Sequence, residues 1–299
     1  MARILGIGVA TLDIINEVAA YPVEDTESRA LAQRHARGGN AANTLTVLSA
    51  LGHHCKFGGV LAGDPAAAWV RADLEARGID CSACPVESAG VTPTSCVLLN
   101  IRSGSRTIVH HRRLREFGFD DFEPLVQPSI EWIHFEGRNP SELRRMLELC
   151  ETRGLGEHTS LEVEKPRAGI EQLFAGPRCL FFSRVYASAR GFEDPLVFLR
   201  HVHPVAPRAR LVCAWGAAGA YALDPDGGEC HCPAFPPPVV RDTLGAGDTF
   251  VAGVIDALIA DADLRAAVEA GSRLAGRKCG QPGFDGLVPP RGRGSGGGL

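Results

Sequence analysis

The sequence predicts an α/β fold: a mostly parallel central sheet with helices on both faces, plus a small β-sheet lid. Three observations predict it. Short apolar runs alternate with helical stretches near the N-terminus, the alternation breaks between Thr92 and His111, and it resumes from Trp132 onward.

The first element is a buried strand from Ile4 to Val9. Gly38-Gly39-Asn40-Ala41-Ala42-Asn43 then reads as a tight turn opening a helix through Leu45, Val47, Leu48 and Leu51, which stops at Gly52. Lys56 to Val60 is a short strand, and Ala66 to Ala76 a helix ended by Gly78. Thr94 to Asn100 and Arg106 to His111 form a hairpin, because Ser103-Gly104-Ser105 between them has turn chemistry. Asp13 to Val18 and Leu31 to Arg37 read as two more strands of that small sheet. The lid therefore comes from two segments, about 13–37 and 92–115, inserted in one domain spanning 1–288.

Strands at Trp132 to Phe135, Thr159 to Val163, Cys179 to Ser183 and Leu211 to Trp215, with a helix from Ser141 to Glu151, complete the alternation. Runs this apolar suit strands covered on both faces. Ligands on such sheets bind at the carboxyl ends of the strands, where Asp13, Glu136 and Arg184 stand. Phe250 to Leu258 is almost wholly apolar, so its helix should be buried. Residues 289–299 are rich in Pro, Gly and Arg and read as a disordered tail.

The formal charge of -4 leaves no basic excess for nucleic acid or an anionic membrane. No secretory signal and no apolar run long enough to cross a bilayer is visible, so a cytoplasmic protein is expected. Of ten cysteines, Cys81 and Cys84 have the spacing of a metal knuckle or redox pair, and Cys230-His231-Cys232 is rich in ligand types. Neither has a second pair at a zinc-finger distance. Cys96, Cys179 and Cys213 lie in apolar runs and read as small core residues.

The chemistry concentrates in Asp242-Thr243-Leu244-Gly245-Ala246-Gly247-Asp248, just before the buried helix. Glycines there let a ligand approach the backbone closely. The first helix amides have no partner inside the helix and favour an anion such as a phosphoryl group. Asp248, kept ionised by the helix dipole, can take a proton from a substrate hydroxyl; alternatively, it simply caps the helix. Asn40 and Asn43 carry amides suited to sugar hydroxyls, or make a capping turn. Asp13 can accept two hydroxyl protons, or is a plain loop carboxylate. Trp215-Gly216-Ala217-Ala218-Gly219 leaves room for a flat ring such as adenine, or is an ordinary turn. Gly6-Ile7-Gly8 lacks the third glycine of a dinucleotide fingerprint, since position 11 is Thr11.

Taken together, Gly-Gly-Asn-x-x-Asn at 38–43 and Asp-Thr-x-Gly-Ala-Gly-Asp at 242–248 resemble the ribokinase, or PfkB, family of carbohydrate kinases. Within it the chain is most similar to the ketohexokinases, through stretches such as Trp132-Ile133-His134-Phe135-Glu136-Gly137-Arg138-Asn139 and Glu162-Val163-Glu164-Lys165-Pro166-Arg167. The resemblance implies a ribokinase-like fold and ATP-dependent phosphorylation of a ketose primary hydroxyl, fructose to fructose 1-phosphate. Asp13, Gly39, Asn40 and Asn43 would hold the sugar, and Asp25 would approach the partner's sugar site across a homodimer formed by the lid. Asp248 would be the base, with Gly245, Ala246 and Gly247 as the anion hole. Arg106 and Arg184 would reach phosphates, and Gly216, Ala217, Ala218, Gly219 and Cys279 would line the nucleotide site. Glu136 would organise Mg2+ through water, and a K+ activator would sit near Asp242 and the loop around Gly280.

Two departures bear on the nucleotide. Ala217-Ala218 replaces an acidic pair, and Arg184 stands where a lysine is expected. The basic stretch His110-His111-Arg112-Arg113-Leu114-Arg115 also departs from the animal sequences; it reads as a solvated charged face, or alternatively bears on sugar choice or on an already phosphorylated substrate. A kinase of the same fold acting on another sugar, a nucleoside or a sugar phosphate is the nearest alternative. A non-catalytic sugar-binding regulator is the alternative of another class.

Overall fold

The computed structural model describes residues 1–288; the expected tail at 289–299 lies outside them. In chain order the elements are β1 (Arg3–Ile7), β2 (Thr11–Val18), β3 (Ala32–Gly38), α1 (Asn40–Ala50), β4 (His54–Gly58), β5 (Leu61–Ala62), α2 (Pro65–Ala76), β6 (Ile79–Asp80), β7 (Val86–Glu87), β8 (Val91–Asn100) and β9 (Arg106–Arg113). There follow α3 (Phe119–Phe122), β10 (Trp132–Glu136), α4 (Pro140–Thr152), β11 (Thr159–Val163), β12 (Cys179–Ser183), α5 (Arg184–Ala189), α6 (Pro195–Val202), β13 (Arg210–Ala214), β14 (Ala220–Leu223), β15 (Glu229–Cys232), α7 (Ala246–Ile259) and α8 (Leu264–Cys279).

Nine strands form one sheet in the order β15-β14-β13-β12-β11-β10-β1-β4-β6. All pairs are parallel except those that join β14 and β15 at one edge. Two apolar cores flank the sheet. One holds residues of α1, α2, α7 and α8 against one face, with Leu45, Phe57, Val254 and Val268 buried. The other holds residues of α4, α5 and α6 against the opposite face, with Phe135, Leu143, Phe182 and Phe198 buried. The sequence expectation of a mostly parallel sheet between two helical layers is met.

A separate four-stranded sheet, β3-β2-β8-β9, is the lid. Its β2–β8 pair is parallel and the others antiparallel. The hairpin is the one expected from Ser103-Gly104-Ser105. The chain passes from β1 into β2 through three residues, Gly8 to Ala10, and these are pinned. The Gly8 amide donates to Gly58 O at 3.0 Å and the Val9 amide to Glu136 Oε2 at 3.1 Å.

Some sequence expectations need correcting. Strands β14 and β15 and helix α8 have no counterpart in the sequence reading. Cys230 and Cys232 lie on an edge strand, not in a ligand cluster. Cys96 is exposed on the lid, unlike the buried Cys179 and Cys213, because Cys96-Val97-Leu98-Leu99 belongs to a two-sided sheet. Cys81 and Cys84 are buried, and the Cys84 thiol donates to Phe57 O at 3.3 Å. Among the described residues no helix is long and apolar enough to cross a membrane.

Candidate active site

The glycine turn caps α7. Gly245 is left-handed, with φ of 79°, and a Cβ there would meet the Phe284 ring at 2.5 Å. From Thr249 to Ile255 the helix is wholly buried, which fixes where its N-terminus points. The amides of Gly247 and Asp248 have no acceptor among the described residues. A Cβ on Gly247 would meet nothing within 4 Å, so the space beside these amides is open. Unpartnered amides at a helix N-terminus can receive an anion.

Asp248 does not cap its helix. Its carboxylate instead accepts from Asn43 Nδ2 at 2.6 Å, across from α7 to α1. Burial is the largest influence on it and pushes its pKa up to about 7. The Asn43 hydrogen bond and Arg37 oppose the shift, while Glu164 and Glu136 add to it. The expectation that the helix dipole keeps this group fully ionised is therefore corrected: desolvation wins, and the acid is poised near neutrality.

Asn43 is itself oriented. Arg37, at the end of β3, donates from Nη1 to Asn43 Oδ1 at 2.8 Å, from Nη2 to Thr46 Oγ1, and from Nε to Asp73 at 2.8 Å. The guanidinium can only donate, so it binds the carbonyl end of the Asn43 amide and turns the NH2 toward Asp248. Arg37 is 6% exposed. The sequence reading assigned it no role. An arginine directly before Gly38-Gly39 and a buried helix was the signal.

Gly39 has φ of 106°, and a Cβ there would lie 1.8 Å from Val9 O. A Cβ on Gly38 would strike Asp13 Oδ2 at 2.3 Å. The pair of glycines thus lets β3 and α1 pass against the β1–β2 link and the Asp13 carboxylate. Asn40 donates to Glu162 Oε1 at 3.1 Å and Glu164 Oε2 at 3.3 Å. Burial, then Asp248, Glu164 and Glu136, hold Glu162 well above the ordinary carboxylate range, and its Oε2 is buried without a partner. The sequence reading quoted both glutamates without giving them a task.

The lid brings its residues to the same place. Asp13 is buried on β2 and accepts from Thr11 Oγ1 at 2.8 Å. Arg106 Nη1 donates to Thr243 Oγ1 at 3.1 Å, and Arg34 Nη2 reaches Asp242 Oδ2 at 3.5 Å, so two lid strands touch the glycine turn. A cavity of about 200 Å³ beside this contact is lined by Asp13, Asn43, Arg37, Asp242 and Leu244 among others. Asp25 stands on the exposed loop between β2 and β3, with φ of 58°.

Along the sheet, Gly216 to Gly219 form a tight turn after β13, where a Cβ on Gly219 would strike Cys232 O at 2.1 Å. Arg184, first residue of α5, stacks on the Trp215 ring at 5.5 Å, which gathers it with this turn. Cys279 closes α8 and accepts the amides of Arg241 and Asp242 at its carbonyl.

The expected ions fit unequally. Asp242 Oδ2 takes Lys278, Arg34 and the Gly283 amide, and Oδ1 takes the Leu244 amide. Lys278 also donates to the Asp242 carbonyl at 3.1 Å. Asp242 so engaged does not fit a potassium ligand, a correction to its expected part. Glu136 is held by Arg138 at 2.6 Å and by the Val9 amide. Among the described residues no three His, Cys, Asp or Glu side chains are grouped to hold a metal directly. Glu136 and Glu164 fit only an ion that keeps its waters and rides on phosphates.

Comparison with known proteins agrees with this geometry. The family model described as pfkB family carbohydrate kinase matches residues 1–289. The chain is 45% identical over 294 residues to the ketohexokinase of Mus musculus, covering 96% of this chain and 99% of the relative. It is 25% identical over 296 residues to the ATP-dependent ribose-1-phosphate kinase of Halopiger xanaduensis, covering 93% of each. The fold is similar to that of the Giardia lamblia ribokinase, with TM-score 0.80 at 16% identity over 97% of this chain and 96% of that one. It is also similar to the Arabidopsis thaliana ribokinase complexed with ribose and ATP, with TM-score 0.78 at 18% identity over 95% and 94%. With its two signatures folded into one site and the family model matched along nearly its whole length, the chain belongs to the pfkB family of carbohydrate kinases.

Proposed function

We propose that this chain transfers the γ-phosphoryl group of ATP to the primary hydroxyl of a ketose, with fructose giving fructose 1-phosphate. The observation that carries the reading is the buried Asp248 carboxylate, aimed by Asn43 and poised near pH 7, in the same helical turn as the unpartnered Gly247 and Asp248 amides. The identity to a ketohexokinase supports the choice of acceptor.

Asp248 accepts the proton of the attacking hydroxyl as its oxygen bonds to phosphorus. The Gly247 and Asp248 amides face the negative charge of the phosphoryl group in flight. Asp13, Gly39 and Asn40 hold the sugar, and Asn43 serves it by fixing Asp248. Arg106 and Arg184 carry cationic charge toward the nucleotide phosphates, and the 216–219 turn with Cys279 borders the nucleotide. Glu136 and Glu164 would hold a hydrated magnesium ion, which would supply charge neutralisation to the phosphates. Potassium activation rests on the family resemblance alone. We assign the lid a second task as a homodimer contact, bringing Asp25 to the partner's sugar site. A cytoplasmic location suits ten free thiols.

An ADP-release assay with ATP and magnesium across ketoses, aldoses, nucleosides and sugar phosphates, with and without potassium, tests this. Fructose should give the highest kcat/KM. Preference for a nucleoside or sugar phosphate would replace the acceptor, and sugar binding without turnover would favour the regulator.

A further inference from the structure

The basic stretch that begins on the second strand of the lid hairpin has no part in the reading above, and its first residue lies in register with Asp13. Across three neighbouring lid strands Asp13, Ser95 and His110 are in register: Asp13 pairs with Ser95, and Ser95 with His110. Directly paired residues point to the same face of a sheet. That face is the one that turns to the cleft, because it also carries Ile15 and Val97 into the interior and Arg34 and Arg106 onto the glycine turn. Ser95 Oγ and His110 Nδ1 lie 3.2 Å apart, which fixes the ring in the row. The ring is otherwise exposed, and its Nε2 has no partner among the described residues.

We propose that His110 is a specificity-determining residue of the acceptor site, its Nε2 hydrogen-bonding a sugar hydroxyl other than the one that is phosphorylated. The inference rests on the carbohydrate-kinase reading of the cleft. Two strand spacings, about 10 Å, separate the backbones of Asp13 and His110, which is within the combined reach of both side chains around one monosaccharide. Either tautomer serves. If Ser95 donates to Nδ1, Nε2–H donates to the sugar; if Nδ1–H donates to Ser95, Nε2 accepts from it. Burial, with Arg138, Arg112 and Lys165 outweighing Asp13, holds the imidazole below its ordinary pKa. A neutral ring that both donates and accepts suits a hydroxyl, whereas an imidazolium could only donate.

The test uses the preferred acceptor from the panel and its series of monodeoxy analogues, with wild type, His110→Leu and His110→Asn. His110→Leu should raise the acceptor KM by roughly three- to tenfold, the scale of one net hydrogen bond. Its kcat should stay within about twofold and its KM for ATP should not move, since the contact is not with the reacting atoms. The analogue lacking the contacted hydroxyl should show no difference between wild type and His110→Leu, and His110→Asn should recover part of the loss. Because His110 is exposed, His110→Leu and His110→Asn should melt as the wild type does. An acceptor KM unchanged in His110→Leu overturns the proposal. So does a rise by the same factor for every deoxy analogue, which would mark a packing role. The ketose assignment fails separately, on the wild-type panel, since the His110 test runs on whichever acceptor that panel prefers.

Discussion

Asn43 Nδ2 lies 2.6 Å from Asp248 Oδ2, joining the first turns of two helices through residues 205 positions apart in sequence. This one bond both aims the carboxylate and opposes the rise in its pKa. Asp248→Asn should lower kcat by about 10²–10⁴-fold with ATP affinity largely kept, measured by steady-state kinetics and nucleotide titration. Retention of more than about a tenth of the rate would remove Asp248 as base.

The pH profile follows from the same carboxylate. Only the ionised form accepts a proton, so kcat/KM for the sugar should climb as pH rises through about 7. Asn43→Ala removes an influence that lowers this pKa, so its acid limb should move to higher pH. An unmoved limb would mean that another group sets it.

Stability should respond with the opposite sign. Asp248 is raised above its ordinary value, so its favourable contribution is fully present below the unfolded carboxylate range and is lost as pH rises through about 7. Asp248→Asn has no such charge to bury. It should match the wild type near pH 4 and exceed it at pH 8, by about 1–3 kcal/mol in denaturant melts.

Arg37→Met should act twice. Leaving Asn43 and Thr46 without their donor should cost about 2–3 kcal/mol, below the fully buried range because Asp73 keeps Arg77 and some water. An Asn43 amide free to flip should also lower kcat. Arg37→Lys should not restore it, since a single ammonium cannot span three acceptors.

Two glycines should separate folding from catalysis. Gly39→Ala puts a methyl 1.8 Å from a backbone carbonyl at φ of 106° and should abolish soluble folded protein or cost more than about 3 kcal/mol. Gly247→Ala meets nothing, so its melting temperature should hold while turnover falls, because the methyl enters the space before the amides.

Much of this was legible in the residues. Alternating apolar runs located β1, β10, β11, β12 and β13, since strands buried on both faces leave an unbroken signal. The lid hairpin was written in its turn. Strands β14 and β15 were not legible, because each is only four residues long and Glu229 to Cys232, at the sheet edge, mixes polar and apolar residues as a loop does. The two signatures located Asp248 and Asn43 but not the bond between them, which depends on how α1 and α7 pack. Glu162 escaped for the same reason, since it meets Asn40 from 122 positions away. Arg37 lies only six positions from Asn43, and its contact depends on how β3 turns into α1. The charge state of Asp248 was misjudged because a helix dipole can be read from sequence and burial cannot.

The three-residue link from Ile7 to Thr11 makes the lid a lever, not a flap. Its root is clamped by Gly8 to Gly58, Val9 to Glu136, and Gly39 against Val9, so any swing pivots there. Asp13, Ser95 and His110 sit close to that pivot and travel little. Arg106 stands opposite the far end of β2, about four residues or ~13 Å further out, and sweeps a wider arc. On the proposed reading, a swing of the lid would leave the acceptor's contacts nearly in place and move chiefly Arg106, the proposed phosphate contact.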